Sequence, residues 1–238
     1  MTQKIRHIMM ECPDPACAMR FPIVFPPEKG MQCPLCRAIP VPASDPYEEL
    51  QVRSSEEHVN APAIEVLLDN IRSIYNVGSM FRTADGSGVA HIHLCGMTPT
   101  PDHPRLAKTA LGAQKSVPWS YSRNGLATAR SLKEAGKNLW SLEGGPRSRP
   151  LSEAEAVCLL DERPLVLVVG NEISGIDPAI LDLSDSICHI PMRGSKTSLN
   201  AGVAFGIALS MLCAAVEKRT DNSRLNFKNS FADTFTTE

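Results

Sequence analysis

Leu165-Val166-Leu167-Val168-Val169-Gly170-Asn171-Glu172-Ile173-Ser174-Gly175-Ile176 is the stretch on which the fold turns. Its first five residues are aliphatic with no polar alternation, which describes a strand covered on both faces, the habit of parallel sheets. The run stops at a glycine followed by small and polar residues. That arrangement gathers backbone N–H and C=O groups at the strand's carboxyl end, where α/β proteins bind ligands.

Strand-like and helix-like patterns alternate outward from this run. On its N-terminal side Ile64–Leu68, Val89–Leu94, Val117–Tyr121 and Leu139–Leu142 read as strands. Val77–Ala84, Arg105–Leu111 and Leu126–Ala135 read as helices between them. On its C-terminal side a strand over Ile187–Ile190 precedes the longest helix, Leu199–Val216. Strands separated by helices predict an α/β fold, a parallel sheet with helices on both faces. The polar segment 217–238 lacks a pattern and is expected to be a loose tail.

The chain has 238 residues, 43% of them hydrophobic and 21% charged, with a net charge of −2. This is the balance of a soluble globular protein, not of a disordered or fibrous one. No uninterrupted run approaches the ~20 apolar residues of a membrane span. No apolar signal core follows Met1-Thr2-Gln3-Lys4, so a cytoplasmic protein without a membrane partner is expected.

Four of the eight cysteines fall early: Cys12-x4-Cys17, then fifteen residues, then Cys33-x2-Cys36. Two close pairs separated by a hairpin-length insert match a tetrahedral four-thiolate zinc site. A redox dithiol at Cys33-Pro34-Leu35-Cys36 would need a βαβ setting that this segment lacks. The expected organisation is a zinc-ribbon-like segment over 1–40 and a proline-rich linker over 41–63. The α/β domain follows over 64–216. Cys95, Cys158, Cys188 and Cys213 sit in apolar segments and read as small core residues.

Common site signatures fail. Gly86-x-Gly88 follows a helix rather than a strand, Gly194-Ser195-Lys196-Thr197 lacks the Gly-Lys pair of a phosphate loop, and no Gly-x-Ser-x-Gly elbow occurs. His91 and His93 share a strand face and read as half-buried rim residues. Residues 105–149 carry nine Lys/Arg against two acids, which suits a phosphate backbone if those charges converge, and solvated helix faces if they do not.

Three segments remain: Asn76-x-Gly78-x3-Arg82, Gly170-Asn171-Glu172-x2-Gly175, and Ile190-Pro191-Met192 with Ser198-Leu199-Asn200. Taken singly, Ser198 could merely cap the long helix, Glu172 could be a helix-start acid, and Arg82 could pair with Asp85. In this order and context, with Thr109–Ala113 before Val117-Pro118, they resemble the SpoU (TrmH) branch of the SPOUT superfamily. These are RNA ribose 2′-O-methyltransferases, and the resemblance runs from about Ile64 to Val216.

The resemblance implies a C-terminal trefoil knot holding S-adenosylmethionine among Leu142, Gly170, Ile190, Met192, Ser198 and Leu199. It implies that Arg82 handles the ribose hydroxyl, with Asn76, Glu172 and Asn200 orienting Arg82 and the substrate. It also implies a homodimer whose active site lies near the subunit interface. RNA is the expected partner, tRNA in preference to rRNA. Two alternatives stand beside this reading: a methyltransferase of the same fold acting on a base, and a zinc-ribbon RNA-binding or assembly protein whose methyltransferase domain has lapsed.

Overall fold

A computed structural model of the chain describes residues 5–48 and 64–233. It divides into two compact units, residues 1–57 and 58–238.

The N-terminal unit is a small antiparallel sheet. Strands β1 (Arg6–Glu11) and β2 (Arg20–Phe25) form a hairpin, and β3 (Val41–Pro42) and β4 (Tyr47–Glu48) both pair with β1. Alternation along β1 turns Ile8 and Met10 inward, where they meet Phe21, Cys12 and Cys33 in a core of their own. Residues 41–48, expected as the start of a linker, therefore belong to this sheet. Ala43 donates its N–H to the Met9 carbonyl at 2.8 Å, and Ser44 Oγ accepts from the Met9 N–H at 3.0 Å. Pro42 suits a short edge strand, which asks for few ladder donors, and Pro46 lies in the connection before β4. The rest of the expected linker, 49–63, lies outside the described residues.

The second unit opens with β5 (Glu65–Asp69), α1 (Ile74–Gly86), β6 (His91–Cys95) and α2 (Pro104–Ala110). A 3-10 turn at Ala113–Lys115, β7 (Trp119–Ser122), α3 (Gly125–Glu134), β8 (Asn138–Leu142) and the short β9 (Arg149–Pro150) follow. It closes with α4 (Glu153–Leu159), β10 (Leu165–Val169), α5 (Pro178–Leu183), β11 (Ser186–His189) and α6 (Ala201–Asp233). The seven strands are ordered β7-β6-β5-β10-β8-β11-β9 and every pairing is parallel.

All five residues of β10 are buried, as the continuous aliphatic run requires. Leu165, Leu167 and Val169 face one core with α1, α2, α4 and α6; Val166 and Val168 face the other with α3 and α5. The expected layering, helices on both faces of a parallel sheet, is what the strand's composition dictates.

The C-terminal segment departs from expectation. Helix α6 continues to Asp233 where a loose tail from 217 was anticipated. No glycine or proline follows Gly206, so nothing in the sequence stops the helix. Arg219 also pairs with Glu162 at 2.6 Å. By length and composition Ala201–Arg219 could cross a membrane, which counting only uninterrupted apolar residues missed. One stripe of it, Phe205, Ala208, Leu209, Leu212, Ala215 and Val216, is buried in the core beside α4, α1 and β10.

Candidate active site and metal centre

Three loops meet at the carboxyl edge of the parallel sheet. They leave β8 at Leu142–Gly144, β10 at Gly170–Ile176 and β11 at Ile190–Asn200. A cavity of about 440 Å³ lies between them, within the ~300–1,000 Å³ typical of small-molecule sites. Its wall contains all six residues expected around the cofactor: Leu142, Gly170, Ile190, Met192, Ser198 and Leu199.

The Gly170 loop is shaped by close approach. A Cβ on Gly170 would stand 2.4 Å from the backbone nitrogen of Ile176, so only glycine lets the chain fold back here. Asn171 and Gly175 then exchange both backbone hydrogen bonds, at 3.1 and 2.9 Å. The Asn171 side chain accepts from the N–H groups of Ile173 and Ser174 and donates to the Asn70 carbonyl at 2.7 Å.

Glu172 is not a helix-start acid of its own segment. It reaches across to the beginning of α1, where Oε2 accepts from the Arg72 N–H at 2.9 Å and Oε1 from the Ser73 N–H at 3.0 Å and from Asn76 Nδ2 at 2.8 Å. Ser73 is the N-cap of α1, and its N–H, the Arg72 N–H just before it and the Asn76 amide together make a natural seat for a carboxylate at the helix start. Burial alone would raise the pKa of the Glu172 carboxyl. The N–H groups of Arg72, Glu172 and Ser73, with the Asn76 amide, outweigh it and hold the group below the usual carboxylate range.

Asn200, not Ser198, caps α6: its Oδ1 accepts from the N–H of Gly202 at 2.9 Å and of Val203 at 3.3 Å. That duty fixes the amide, so Nδ2 faces Asn76 Oδ1 and donates to it at 3.0 Å. Asn76 is left with Nδ2 toward Glu172. The relay Asn200→Asn76→Glu172 thus ties the starts of α6 and α1 to the β10 loop and assigns both amides. A second hollow of about 450 Å³ opens beside it, lined by Arg72, Ser73, Asn76, Glu172, Ile173 and Asn200.

Arg82 stands apart from this cluster. It is exposed on α1, and among the described residues it has no hydrogen bond or ion pair and lines neither hollow. Asp85, three residues on, instead accepts from Ser116 Oγ at 2.7 Å. The structure therefore gathers Asn76, Glu172 and Asn200, and leaves Arg82 on the same helix as Asn76, six residues on.

Sequence reasoning missed Glu143. This half-buried residue follows Leu142 on the cavity wall, and its Oε2 accepts from the Ile176 N–H at 3.0 Å. Its carboxylate lies against Gly175, where a Cβ would stand 2.5 Å from Oε2. The only hint in the sequence was its place at the carboxyl end of a strand. His91 and His93 take no part in this site. Their rings lie 4.5 Å apart, and His93 Nε2 meets Glu65 Oε2 at 2.8 Å near the start of β5.

In the N-terminal unit Cys12, Cys17, Cys33 and Cys36 place all four sulfurs within 4.8 Å of one another. The Cys12–Cys36 and Cys17–Cys33 sulfurs are 3.3 and 3.7 Å apart, too far for disulfides. A tetrahedron with Zn–S of about 2.3 Å has edges of about 3.8 Å, so the donor set fits zinc. Without a metal the thiols divide: the N–H groups of Cys36 and Leu35 bring Cys33 down to about 7 against the effect of its burial, while burial pushes Cys12 up to about 12 and Cys17 is raised as well, so of these three thiolate is favoured at Cys33 alone.

The SpoU rRNA Methylase family profile matches residues 63–210, most of the second unit. The chain belongs to that family. Among its relatives is the 23S rRNA (guanosine-2′-O-)-methyltransferase RlmB of Vibrio parahaemolyticus, 32% identical over 145 residues, covering 60% of this chain and 56% of RlmB. The A. aeolicus TrmH/SpoU tRNA modifying enzyme superposes with a TM-score of 0.58 at 26% identity, over 67% of this chain and 78% of that one. An AdoMet-bound rRNA methyltransferase from Sinorhizobium meliloti gives 0.57 at 25% identity, over 70% and 62%. The chain spans less than two thirds of the length of the curated relatives it matches, 56% and 64% for two RlmB proteins. The family match begins after the cysteine-bearing unit.

Proposed function

We propose that this chain is an S-adenosylmethionine-dependent RNA methyltransferase acting on a ribose 2′-hydroxyl of rRNA or tRNA. The observation that carries this reading is the cavity whose wall contains all six expected cofactor residues, adjoining the Asn200–Asn76–Glu172 relay. Membership of the family supports it, as do the RlmB and AdoMet-bound relatives. Loops 142–144, 170–176 and 190–200 converge on one cavity, and β10 lies between β5 and β8 in the sheet, which also favours the expected knot.

S-adenosylmethionine supplies a methyl group already activated on a sulfonium. The protein's work is therefore alignment of the acceptor oxygen and stabilisation of charge as that oxygen loses its proton. Glu143 and Glu172 line the cavity that would hold this cationic cofactor. Arg82, with a guanidinium that does not deprotonate, suits binding of the adjacent phosphate and of the developing alkoxide.

Arg82 lies outside the cavity of a single copy, and Tyr75 on α1 and Val203 on α6 are exposed at 65% and 51%. These features support a homodimer in which two copies together complete the site. A cytoplasmic location, a structural zinc ion on the four cysteines and a substrate-choosing role for the N-terminal unit belong to the same reading.

The test is transfer of labelled methyl from S-adenosylmethionine to total rRNA and to total tRNA, followed by mapping of alkali-resistant linkages. Label in an alkali-resistant dinucleotide establishes ribose methylation and names the RNA. Alkali-labile label would point to a base acceptor. No label in either pool, with cofactor bound, would point to the lapsed enzyme.

A further inference from the structure

The basic stretch 105–149 separates in three dimensions. Lys133 pairs with Asp185 at 2.6 Å, Lys137 with Glu65 at 2.5 Å, and Arg147 with Asp182 at 2.7 Å, so three of its nine cations are already matched. Arg123 and Arg130 accompany α3, on the sheet face opposite α1, α2 and α6. Arg149 sits in β9, the far edge of the sheet. Arg105 and Lys108 on α2 and Lys115 on the turn after it are left. All three are exposed, and none has a carboxylate partner among the described residues.

These three belong to one surface with Arg82. Helices α1 and α2 touch where a Cβ on Gly78 would stand 2.6 Å from Thr109 Cβ. One end of the 3-10 turn is tied to α1 by the Ser116–Asp85 hydrogen bond. Gly78 lies four residues before Arg82 and Asp85 three after it. The segment from Thr109 to Ser116 therefore runs alongside the turn of α1 that carries Arg82. Asp85 and Asp102 lie on the same segments; each accepts from a neutral hydroxyl, Asp85 from Ser116 Oγ and Asp102 from Thr100 Oγ1 at 3.2 Å, and each keeps its negative charge.

We infer that Arg105, Lys108 and Lys115 form a docking ridge for RNA phosphates, leading the backbone to the nucleotide that Arg82 meets. The inference rests on the proposed function and adds to it the surface that holds the substrate. Four exposed cations against two carboxylates leave a local excess of two positive charges, on a chain of net charge −2, a local feature rather than a general basicity. Flexible lysine and arginine side chains suit phosphates, which position an RNA backbone without reading base edges.

The test compares wild type, the triple variant R105Q/K108Q/K115Q and the control R123Q/R130Q. RNA affinity is measured against salt concentration, and cofactor affinity and Tm serve as folding controls. In the triple variant RNA binding is expected to weaken at least tenfold at low salt. The magnitude of its log–log salt slope should fall by about two to three, one contact per lost charge. Cofactor affinity and Tm hold, and the control binds RNA as wild type does. An unchanged slope in the triple variant, or an equal loss in the control, overturns the ridge. If wild type binds RNA through the ridge but methylates none, the ridge stands and the enzymatic reading falls. If wild type methylates RNA and the triple variant does so with unchanged KM, the reverse holds.

Discussion

Asn76 Nδ2 donates to Glu172 Oε1 at 2.8 Å, joining residues 96 apart in the chain. The bond fastens the start of α1 to the loop that walls the cavity. Glu172→Gln keeps the shape but puts an amide NH2 in place of one of the two oxygens that now accept from Arg72, Ser73 and Asn76. One donor must then face another donor. Methyl transfer should fall at least tenfold. Tm should drop by about 2–4 °C for each kcal/mol lost, and about 1 kcal/mol is expected at this partly exposed site. Kinetics and a thermal melt at wild-type level would remove the relay from the site.

The same carboxylate predicts a pH dependence. Its pKa is depressed in the folded protein, so it contributes stability above the unfolded value of about 4.3 and loses that contribution as pH falls through the folded value. Glu172→Gln should therefore be less stable than wild type at neutral pH and should converge with it in acid. Denaturant titrations from pH 7 to 3 check this. Parallel curves would mean that the carboxylate carries no such linkage.

Gly170→Ala tests whether the cavity depends on close backbone approach. The added Cβ would stand 2.4 Å from Ile176 N and 2.5 Å from the Gly175 carbonyl carbon, both backbone atoms with little room to yield. Pushing the loop away should cost about 1–3 kcal/mol. It should also weaken S-adenosylmethionine binding at least tenfold, read by calorimetry. Unaltered affinity would place the cofactor elsewhere.

The strand that decides the fold was legible because five buried aliphatic residues in a row admit few other settings. Its neighbours followed from the alternation of strand-like and helix-like patterns. Helices α4 and α5 were not anticipated; they are seven and six residues long, and at that length a helical period is weak, although α2, also seven residues, was read. Their signals were the caps: Ser152 accepting from the Glu155 N–H at 3.2 Å, and Asp177 ahead of Pro178, accepting from the Ala179 N–H at 2.9 Å. Of the site, the resemblance named, for the cofactor, six of the residues that line the cavity, and it passed over Glu143. It could not show that Asn200 caps α6 in place of Ser198, since both precede the helix and only geometry selects between them. Nor could it show Arg82 standing clear of the relay, because spacing along a helix does not reveal what covers its face.

Arg82→Ala separates chemistry from binding. Because Arg82 lines neither hollow, its loss should leave S-adenosylmethionine affinity unchanged. If it stabilises charge on the acceptor oxygen, kcat should fall about 10²–10³-fold. Arg82→Lys, which keeps the charge but not the planar fork, should recover only part of that rate. Single-turnover transfer at saturating RNA, beside a cofactor titration, gives both quantities. A rate like wild type's would make Arg82 a surface residue.

The cysteine centre makes the last prediction. If the four sulfurs bind zinc, protein purified without added metal should carry one zinc per chain by elemental analysis. Cys33→Ser should lose it, since this thiol is fully buried and thiolate-prone. With so small a core, centred on Ile8, Met10 and Phe21, the N-terminal sheet should then lose its protection from protease, because binding energy at such a site is folding energy. The α/β unit has its own core, so its melting and its S-adenosylmethionine affinity should persist in Cys33→Ser. Metal-free wild type with a protease-resistant N-terminal sheet would show that the hairpin stands without a staple.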